Sequence, residues 1–442
     1  MSKFSFLTFQ ELNQKYGEVF SLNLGGQTLV VLNGTDSIKE AFSKPEFVGK
    51  PSNNVFDILA RKSPFFNSGV DVWSEHRRFV LHSMRDLGLG HTKIESHIQD
   101  EINHFIDTLR DYKGQPVDCS APLRPSMANN MAALVFGERY EYEDNELKTL
   151  VRNYEETTRV IGRNSYKSFF PWMRHVPYFS KLKDIEKGKM AAEETKNIFR
   201  KKLMQHEETL DPNNIRDYMD AYLVEMKSRK EKNTNTSLSE SMLINSVVDL
   251  YQAGSDTVVT AVLWSVYTAA AYQDVQRRVQ REIADIGGRP QFADWQRMPY
   301  TRAVLMEIMR WKTVAPLSVK CTVEDTTVGG YNIPKGTTVL GNRWAVHMNP
   351  KHWEDPDSFI PERFLTKDGL STQKSAHYMP FSVGKRLCPG ESMAYMEVFL
   401  YFVAILQNFN ISFPEGVKPT YDAYLAVTYC PKPFKLCFTS RN

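Results

Sequence analysis

Cys388 stands where a thiol can be made reactive. It lies in Phe381-Ser-Val-Gly-Lys-Arg-Leu-Cys388-Pro-Gly390, a tight, glycine-flanked loop with Lys385 and Arg386 just before the sulfur. Nearby cations lower a thiol's pKa, as does the start of a following helix. Glu391-Ser-Met-Ala-Tyr-Met-Glu-Val-Phe-Leu, rich in helix formers after a Pro-Gly pair, supplies that helix. A thiolate presented this way is a nucleophile, a metal ligand or an axial ligand to haem iron. Zinc would need further Cys or His at short spacing, and none is near. An iron–sulfur cluster would need about four cysteines in a framework that this chain lacks.

Three more groupings carry chemistry. Trp73 and Arg77, at i and i+4, share one helix face. An indole N–H and a guanidinium placed so can hold a carboxylate such as a haem propionate, or pair with each other as a surface cation–π contact. Ala253-Gly-Ser-Asp256-Thr257 sets an acid beside a hydroxyl in an otherwise apolar stretch. There Thr257 can bond the carbonyl four residues earlier, and small Ala253 and Gly254 leave room for something large, such as a macrocycle. A purely structural kink accounts for Gly254 but poorly for a charged Asp256. Glu307-x-x-Arg310 places opposite charges one turn apart, and Arg363 follows in Phe359-Ile-Pro-Glu-Arg363-Phe364. Alone, such a pair is a weak surface contact.

Mostly helices must position these groups. Ser237-Leu-Ser-Glu240 is a capping box, and the pattern from it runs unbroken to about Ala271, apolar on nearly all sides. That predicts a long helix buried through the middle of a large protein. Residues 9–17 read as a short helix ending at Gly17, and 19–24 with 28–32 as a β-hairpin about Gly25-Gly26. Residues 45–70 are loop-like. Amphipathic helical segments are expected near 95–110, 121–137, 145–161 and 180–206, while Pro171 and Pro177 break the pattern over 162–180. The stretch from Gln273 reads as a charged helix with a solvated face. Residues 326–340 and 421–438 read as strands, with Leu425-Ala-Val427 a turn.

Composition narrows the class. A chain of 442 residues, 42% hydrophobic and 12% aromatic, buries a large core and is not disordered. A net charge of +3 with no dense basic run gives no argument for nucleic acid. Five scattered cysteines fit a reducing, cytosol-facing environment better than a disulfide framework. The opening Met1-Ser-Lys-Phe-Ser-Phe-Leu-Thr-Phe is too short and polar for a signal peptide, and the uncharged run 257–273 falls short of the about 20 residues of a membrane span. There is no repeat, no dinucleotide fingerprint and no flavin domain, so electrons for redox chemistry must come from outside.

Phe381-x-x-Gly384-x-Arg386-x-Cys388-x-Gly390 resembles the haem-thiolate signature of the cytochrome P450 family. The other groupings follow in family order, and the resemblance covers essentially the whole chain. It is strongest to the microsomal family-2 group, which includes the vitamin D 25-hydroxylase and xenobiotic hydroxylases. The resemblance implies a single, mainly α-helical catalytic domain over residues 1–442 with a small β-sheet region. One haem b would lie between the Ala253–Thr257 stretch and the Cys388 loop. Cys388 would be the axial thiolate, pushing electron density onto the iron to favour O–O cleavage. Phe381 and Gly390 shape its loop, and Ala253 and Gly254 border the haem. Trp73, Arg77 and Arg386 would hold the propionates, and Asp256 and Thr257 would be the acid–alcohol pair that delivers protons. Glu307, Arg310 and Arg363 would form a buried triad that fixes the Cys loop. Where the family places a His or Arg at a propionate, this chain has Lys320, which is either a point charge there or a solvated side chain. Phe56, Phe65, Phe66, Ala253, Val314, Leu317 and Ala426 are the implied substrate contacts.

The implied reaction is monooxygenation of a lipophilic substrate: a sterol, fatty acid or xenobiotic. Electrons would come from NADPH–cytochrome P450 reductase docking near Arg78 and Lys385, with cytochrome b5 assisting. Microsomal members begin with an anchor helix on the endoplasmic reticulum membrane. This opening resembles the first helix of their catalytic domain, so a trimmed N-terminus is expected, and the chain as it stands would be soluble or peripheral to the membrane. One alternative is a haem-thiolate isomerase or dehydratase acting on lipid hydroperoxides without a reductase, which would need no proton relay. Another is a haem-binding carrier or sensor without turnover.

Overall fold

The computed structural model describes residues 4–51, 57, 59, 62–88, 92–164, 170, 176 and 183–441. Phe56 and nearly all of 165–182 lie outside the described residues. The N-terminal part opens with α1 (Ser5–Tyr16), which closes at Gly17 with φ +85°. There follow the hairpin of β1 (Val19–Leu24) and β2 (Gln27–Leu32), paired antiparallel, and then α2 (Thr35–Ser43).

Helices build the bulk of the molecule: α3 (Val70–Asp86), α4 (Thr92–Asp111), α5 (Ser120–Phe136), α6 (Asn145–Asn164) and α7 (Lys183–Thr209). After them come α8 (Tyr218–Glu231), α9 (Glu240–Ala271), α10 (Gln273–Ile286) and α11 (Pro299–Trp311). α9 is the expected long helix, buried along most of its length and packed on α5 and on a later helix, α13. Its start is not where the capping box predicts. Ser239, not Ser237, caps it, accepting the Met242 N–H at 3.3 Å. Ser237 instead gives its N–H (2.8 Å) and hydroxyl to Glu75 of α3, a tertiary partner that outcompetes the local cap. α5 is not amphipathic as expected, because α4, α6 and α9 all pack around it. The sequence reading passed over α8, whose N-cap Asp217 accepts the Asp220 N–H at 3.0 Å.

β3 (Leu317–Cys321), the hairpin β4 (Thr326–Val328) with β5 (Tyr331–Ile333), and β6 (Thr338–Asn342) follow α11. The main sheet has the order β1-β2-β6-β3, with β6 parallel to β2 and antiparallel to β3. Leu317 and Val319 pack with Phe9, Phe20, Leu29, Val31 and Leu340 on the α1 side of this sheet. Side chains alternate along a strand, so Ser318 and Lys320 face the other way, toward α2. Leu317, half-buried, thus lies on the side of the sheet opposite Lys320 and packs with the α1-facing cluster.

A short α12 (Arg343–His347) continues directly from β6, and α13 (Glu391–Asn408) follows the Cys388 loop. The C-terminal strands are β7 (Phe409–Ser412), the hairpin of β8 (Ala423–Leu425) and β9 (Tyr429–Pro431), and β10 (Cys437–Ser440), which pairs with β7. The β8–β9 tip is wedged against α6. A Cβ on Gly162 would come within 2.6 Å of the Ala426 Cα. None of the described helices is long and apolar enough to cross a membrane.

Candidate active site

The Cys388 loop is a closed turn. The Cys388 N–H donates to the Phe381 carbonyl and the Leu387 N–H to the Gly384 carbonyl, both at 3.0 Å. Gly384 has φ +77°, and a Cβ there would overlap the carbonyl of Phe42, which accepts the Lys385 N–H at 3.3 Å. Only glycine satisfies both conditions. The Phe381 ring packs on Tyr395 of α13 at 5.0 Å. Gly390 caps that helix and turns its N–H toward the Cys388 sulfur. Burial pushes the thiol's pKa up, while the Gly390 N–H and the charges of Arg343 and Arg77 oppose the rise. Lys385 and Arg386, the cations the sequence suggests, do not act in this way. Lys385 is exposed, and Arg386 turns away to the carbonyls of Val48 (2.7 Å) and Phe65 (3.0 Å). A thiol kept neutral by burial ionises when a metal takes the proton's place, so Cys388 suits ligation rather than free nucleophilic attack.

Above the loop lies a cluster of cations. The Arg386 guanidinium stacks on Trp73 at 3.7 Å, and Arg77 lies 5.9 Å from the same ring. Lys320, which could have been solvated, is buried, with its Nζ 3.4 Å from the Arg386 carbonyl. Lys50 Nζ donates to the Val319 carbonyl at 2.8 Å, because Gly49 bridges to Cys321 at the end of β3. Arg343 is buried and donates to the carbonyls of Pro380 (2.7 Å) and Leu317 (3.2 Å). Burial and the neighbouring cations lower the Lys50 pKa to about 7 and hold Lys320 well below the usual lysine range. Charges act on these five from one another and from Cys388, and among the described residues no carboxylate offsets them. Arg343 Nε and Arg386 Nη2 are buried without a hydrogen-bond partner. Uncompensated buried cations with free donors are costly unless an anion completes the site. Lys50 and Arg343 were missed from sequence, since the sheet brings them here from far along the chain.

The Glu307 grouping is buried. Arg310 donates to both Glu307 oxygens (2.6 and 2.8 Å), and Arg363 Nε donates to the same carboxylate at 3.1 Å. Arg310 also donates to the carbonyls of His347 (2.7 Å) and Pro356 (3.0 Å). His347, a residue the sequence did not single out, carries the link onward. Burial and nearby guanidinium charges hold its pKa well below normal, so the ring is neutral. The Thr313 hydroxyl donates to the Arg310 carbonyl at 2.6 Å, which assigns the His347 proton to Nδ1, facing the Thr313 oxygen at 2.8 Å. His347 Nε2 then accepts the Met379 N–H at 3.1 Å, two residues before Phe381.

On α9, Ala253 and Thr257 share one open face, and the Thr257 hydroxyl donates to the Ala253 carbonyl at 2.8 Å. Gly254 is small for a different reason from the one expected. A Cβ there would overlap Met131 Sδ of α5, so its missing side chain admits a crossing helix, not a macrocycle. Asp256 turns toward the β8–β9 tip, where Thr428 Oγ1 donates to it at 2.9 Å. Burial raises the Asp256 pKa, against the Thr428 hydrogen bond and the charge of Arg124. Thr428 was also missed; its only sequence signal was its place after the Leu425-Ala-Val turn. Among the pocket candidates, the Phe65 ring meets His76 edge-on at 6.5 Å, and Phe66 is half-buried. The Val314 carbonyl accepts the Tyr429 N–H at 2.8 Å, and Ala426 presses on Gly162.

A half-buried thiol at a helix N-terminus, facing the charges of Arg343 and Arg77 in a cluster of cations, defines a haem-thiolate class of site. The family model for cytochrome P450 matches residues 2–438, and the chain belongs to the cytochrome P450 family. It is 34% identical to cytochrome P450 2J2 of Homo sapiens over 98% of this chain and 86% of that protein. Cytochrome P450 2U1 of Bos taurus is 32% identical over 98% of this chain and 81% of its own length. Cytochrome P450 2D28 of Mesocricetus auratus is 36% identical over 98% and 88%. The chain is thus a haem monooxygenase similar to family-2 P450s. Its residues fit the cofactor: one ionisable sulfur for the iron, and unpartnered guanidinium donors for the carboxylates.

Proposed function

We propose that this protein inserts one atom of dioxygen into a lipophilic substrate, a sterol, fatty acid or foreign compound, while the other atom leaves as water. The cofactor is haem b, and the electrons come from NADPH through NADPH–cytochrome P450 reductase, with cytochrome b5 as an auxiliary donor. The haem, when bound, supplies the site of dioxygen activation and accepts electrons one at a time. Cys388 ligates its iron, and Gly390, Arg343 and Arg77 stabilise the sulfur's negative charge. Arg77, Arg386, Lys50 and Lys320, with Trp73, hold the propionates. Asp256 and Thr257 move protons, Thr257 from the open face of α9 and Asp256 from beside it. Phe65, Phe66, Ala253, Val314 and Ala426 border the substrate. The exposed Arg78 and Lys385 lie on the reductase-facing surface, on a single catalytic domain at the cytosolic face of the endoplasmic reticulum membrane.

The observation that carries this reading is the cation cluster, with no carboxylate against it among the described residues, set between the Cys388 loop and the Trp73 helix. The alternative of hydroperoxide rearrangement needs no acid beside Thr257, whereas Asp256 is retained and hydrogen-bonded. Reconstitution with haem, reductase and a lipid panel under ¹⁸O₂ tests the proposal. One labelled oxygen per product, dependent on NADPH, is expected. Turnover of a lipid hydroperoxide without reductase, and none with it, would overturn the reading.

A further inference from the structure

We infer that Thr428 is the positioning residue of the proton relay, its single hydroxyl holding the Asp256 carboxyl in one orientation from outside the helix that carries it. The inference rests on the reading of Asp256 and Thr257 as that relay. An aspartate on a helix rotates freely about two bonds unless something fixes it. Here the Thr428 hydroxyl donates to Asp256 Oδ2 at 2.9 Å and accepts from Thr260, one helical turn beyond Asp256, at 3.1 Å. A hydroxyl has one proton, and while Asp256 is ionised that of Thr428 is given to the acid.

Thr428 is itself held. It is 2% exposed, and its carbonyl accepts the Ala426 N–H at 3.1 Å across the tip. The next residue, Tyr429, donates to the Val314 carbonyl and accepts from Trp264 Nε1, both at 2.8 Å. Gly162 lets the tip lie directly on α6. The oxygen presented to Asp256 is therefore fixed by three separate elements.

The chain also tolerates both states of the acid. When Asp256 is ionised, Thr260 donates to Thr428 and Thr428 donates to the carboxylate. When it is protonated, the order reverses, since either hydroxyl can be the donor. A relay acid must cycle between these states, and a valine of the same shape as Thr428 could serve neither. The groups that face Asp256 from other elements are Arg124 of α5, Tyr154 and Glu155 of α6, Tyr424 of β8 and Cys430 of β9. Arg124 pairs with Glu155 at 2.9 Å, so its charge is shared and Thr428 is the neutral contact that orients the acid.

The coupled reaction consumes substrate, dioxygen, two electrons and two protons to give the hydroxylated product and water. The uncoupled one consumes dioxygen with the same electrons and protons to give hydrogen peroxide. A misoriented acid favours the second. The test compares Thr428→Val, Thr428→Ala and Thr428→Ser in the reconstituted holoenzyme, each in wild-type and Asp256→Asn backgrounds. Val and Ala are expected to retain haem and raise the peroxide share of the NADPH consumed several-fold, with Ser restoring the wild-type share. In the Asp256→Asn background they should add nothing, as expected of residues acting as one unit. A second readout needs no turnover. The infrared carboxyl band that Asp256→Asn removes should shift in Thr428→Val and titrate at higher pH, because a bond that stabilises the carboxylate is gone. An unmoved band, failure of Ser to rescue, or an equal loss of coupling without Asp256 would overturn the inference. If the wild-type gives no reductase-dependent product, the proposed function falls instead, while the infrared band still tests Thr428.

Discussion

At Gly384 the backbone holds φ +77° and runs against the Phe42 carbonyl, so Gly384→Ala meets two obstacles at once. A left-handed conformation costs an L-residue about 1–2 kcal/mol. Overpacking against backbone adds about 1–3 kcal/mol more. Both fall on the loop that aims the sulfur. Gly384→Ala should therefore lower haem content per chain and broaden or lose the reduced carbon-monoxide band at about 450 nm expected of thiolate ligation. Cys388→Ala should lose that band outright with the fold intact, which circular dichroism would verify. Asp256→Asn and Thr257→Ala should keep it and divert electrons to peroxide. Retention of the band in Cys388→Ala would remove Cys388 as the ligand.

Helix α11 shows what elements contribute beyond single contacts. Glu307 is fully buried and serves Arg310, Arg363 and the Ile360 N–H (3.0 Å), while Arg310 and His347 carry the connection to Met379 and the Cys loop. Arg310→Leu leaves a buried carboxylate half-paired, and breaking such a pair costs about 3–5 kcal/mol. Chemical denaturation should show a loss of that size, together with faster transfer of haem to an apo-acceptor. His347→Leu leaves the Met379 N–H without its partner, at about 1–3 kcal/mol, and should speed haem transfer more than it lowers global stability. Glu307-x-x-Arg310 was legible because both charges lie on one helical turn. So were α9 and the Cys388 loop, where periodicity and motif are properties of consecutive residues. His347 was not legible, since only the fold brings Thr313, just past α11, and Met379, before the Cys loop, to the two nitrogens of its ring. Ser237 misled for the same reason: its local signal was sound, but Glu75 of another helix claimed it. Gly254 was rightly singled out and wrongly explained, because sequence shows that a residue is small but not which neighbour requires it.

Across the whole molecule, the cations at the site come from five separate places: Lys50 after the first loop, Arg77 on α3, Lys320 on β3, Arg343 on α12, and Arg386 in the Cys loop. Only a fold that pays elsewhere, through its large helical core, can hold them together without an anion. Lys50 has a pKa near 7 against 10.5 for a free lysine, and Lys320 is displaced in the same direction. The unfolded chain binds these protons and the folded one does not, so folding stability falls as pH drops from about 10.5 toward 7. An anion bound at the cluster reverses this by drawing the protons back. Metal-free protoporphyrin IX isolates the effect, because it carries both propionates and no iron to ionise Cys388. Its affinity should rise as pH falls through the same window, by up to about tenfold per pH unit for each lysine that takes up a proton, with the Lys50 part levelling off below about pH 7. Lys50→Met should flatten the Lys50 part of that slope while Lys320 keeps its own. Fluorescence titration of the apoprotein between pH 6 and 10 measures both, and a pH-independent affinity in the parent chain would mean that the propionates do not meet these lysines.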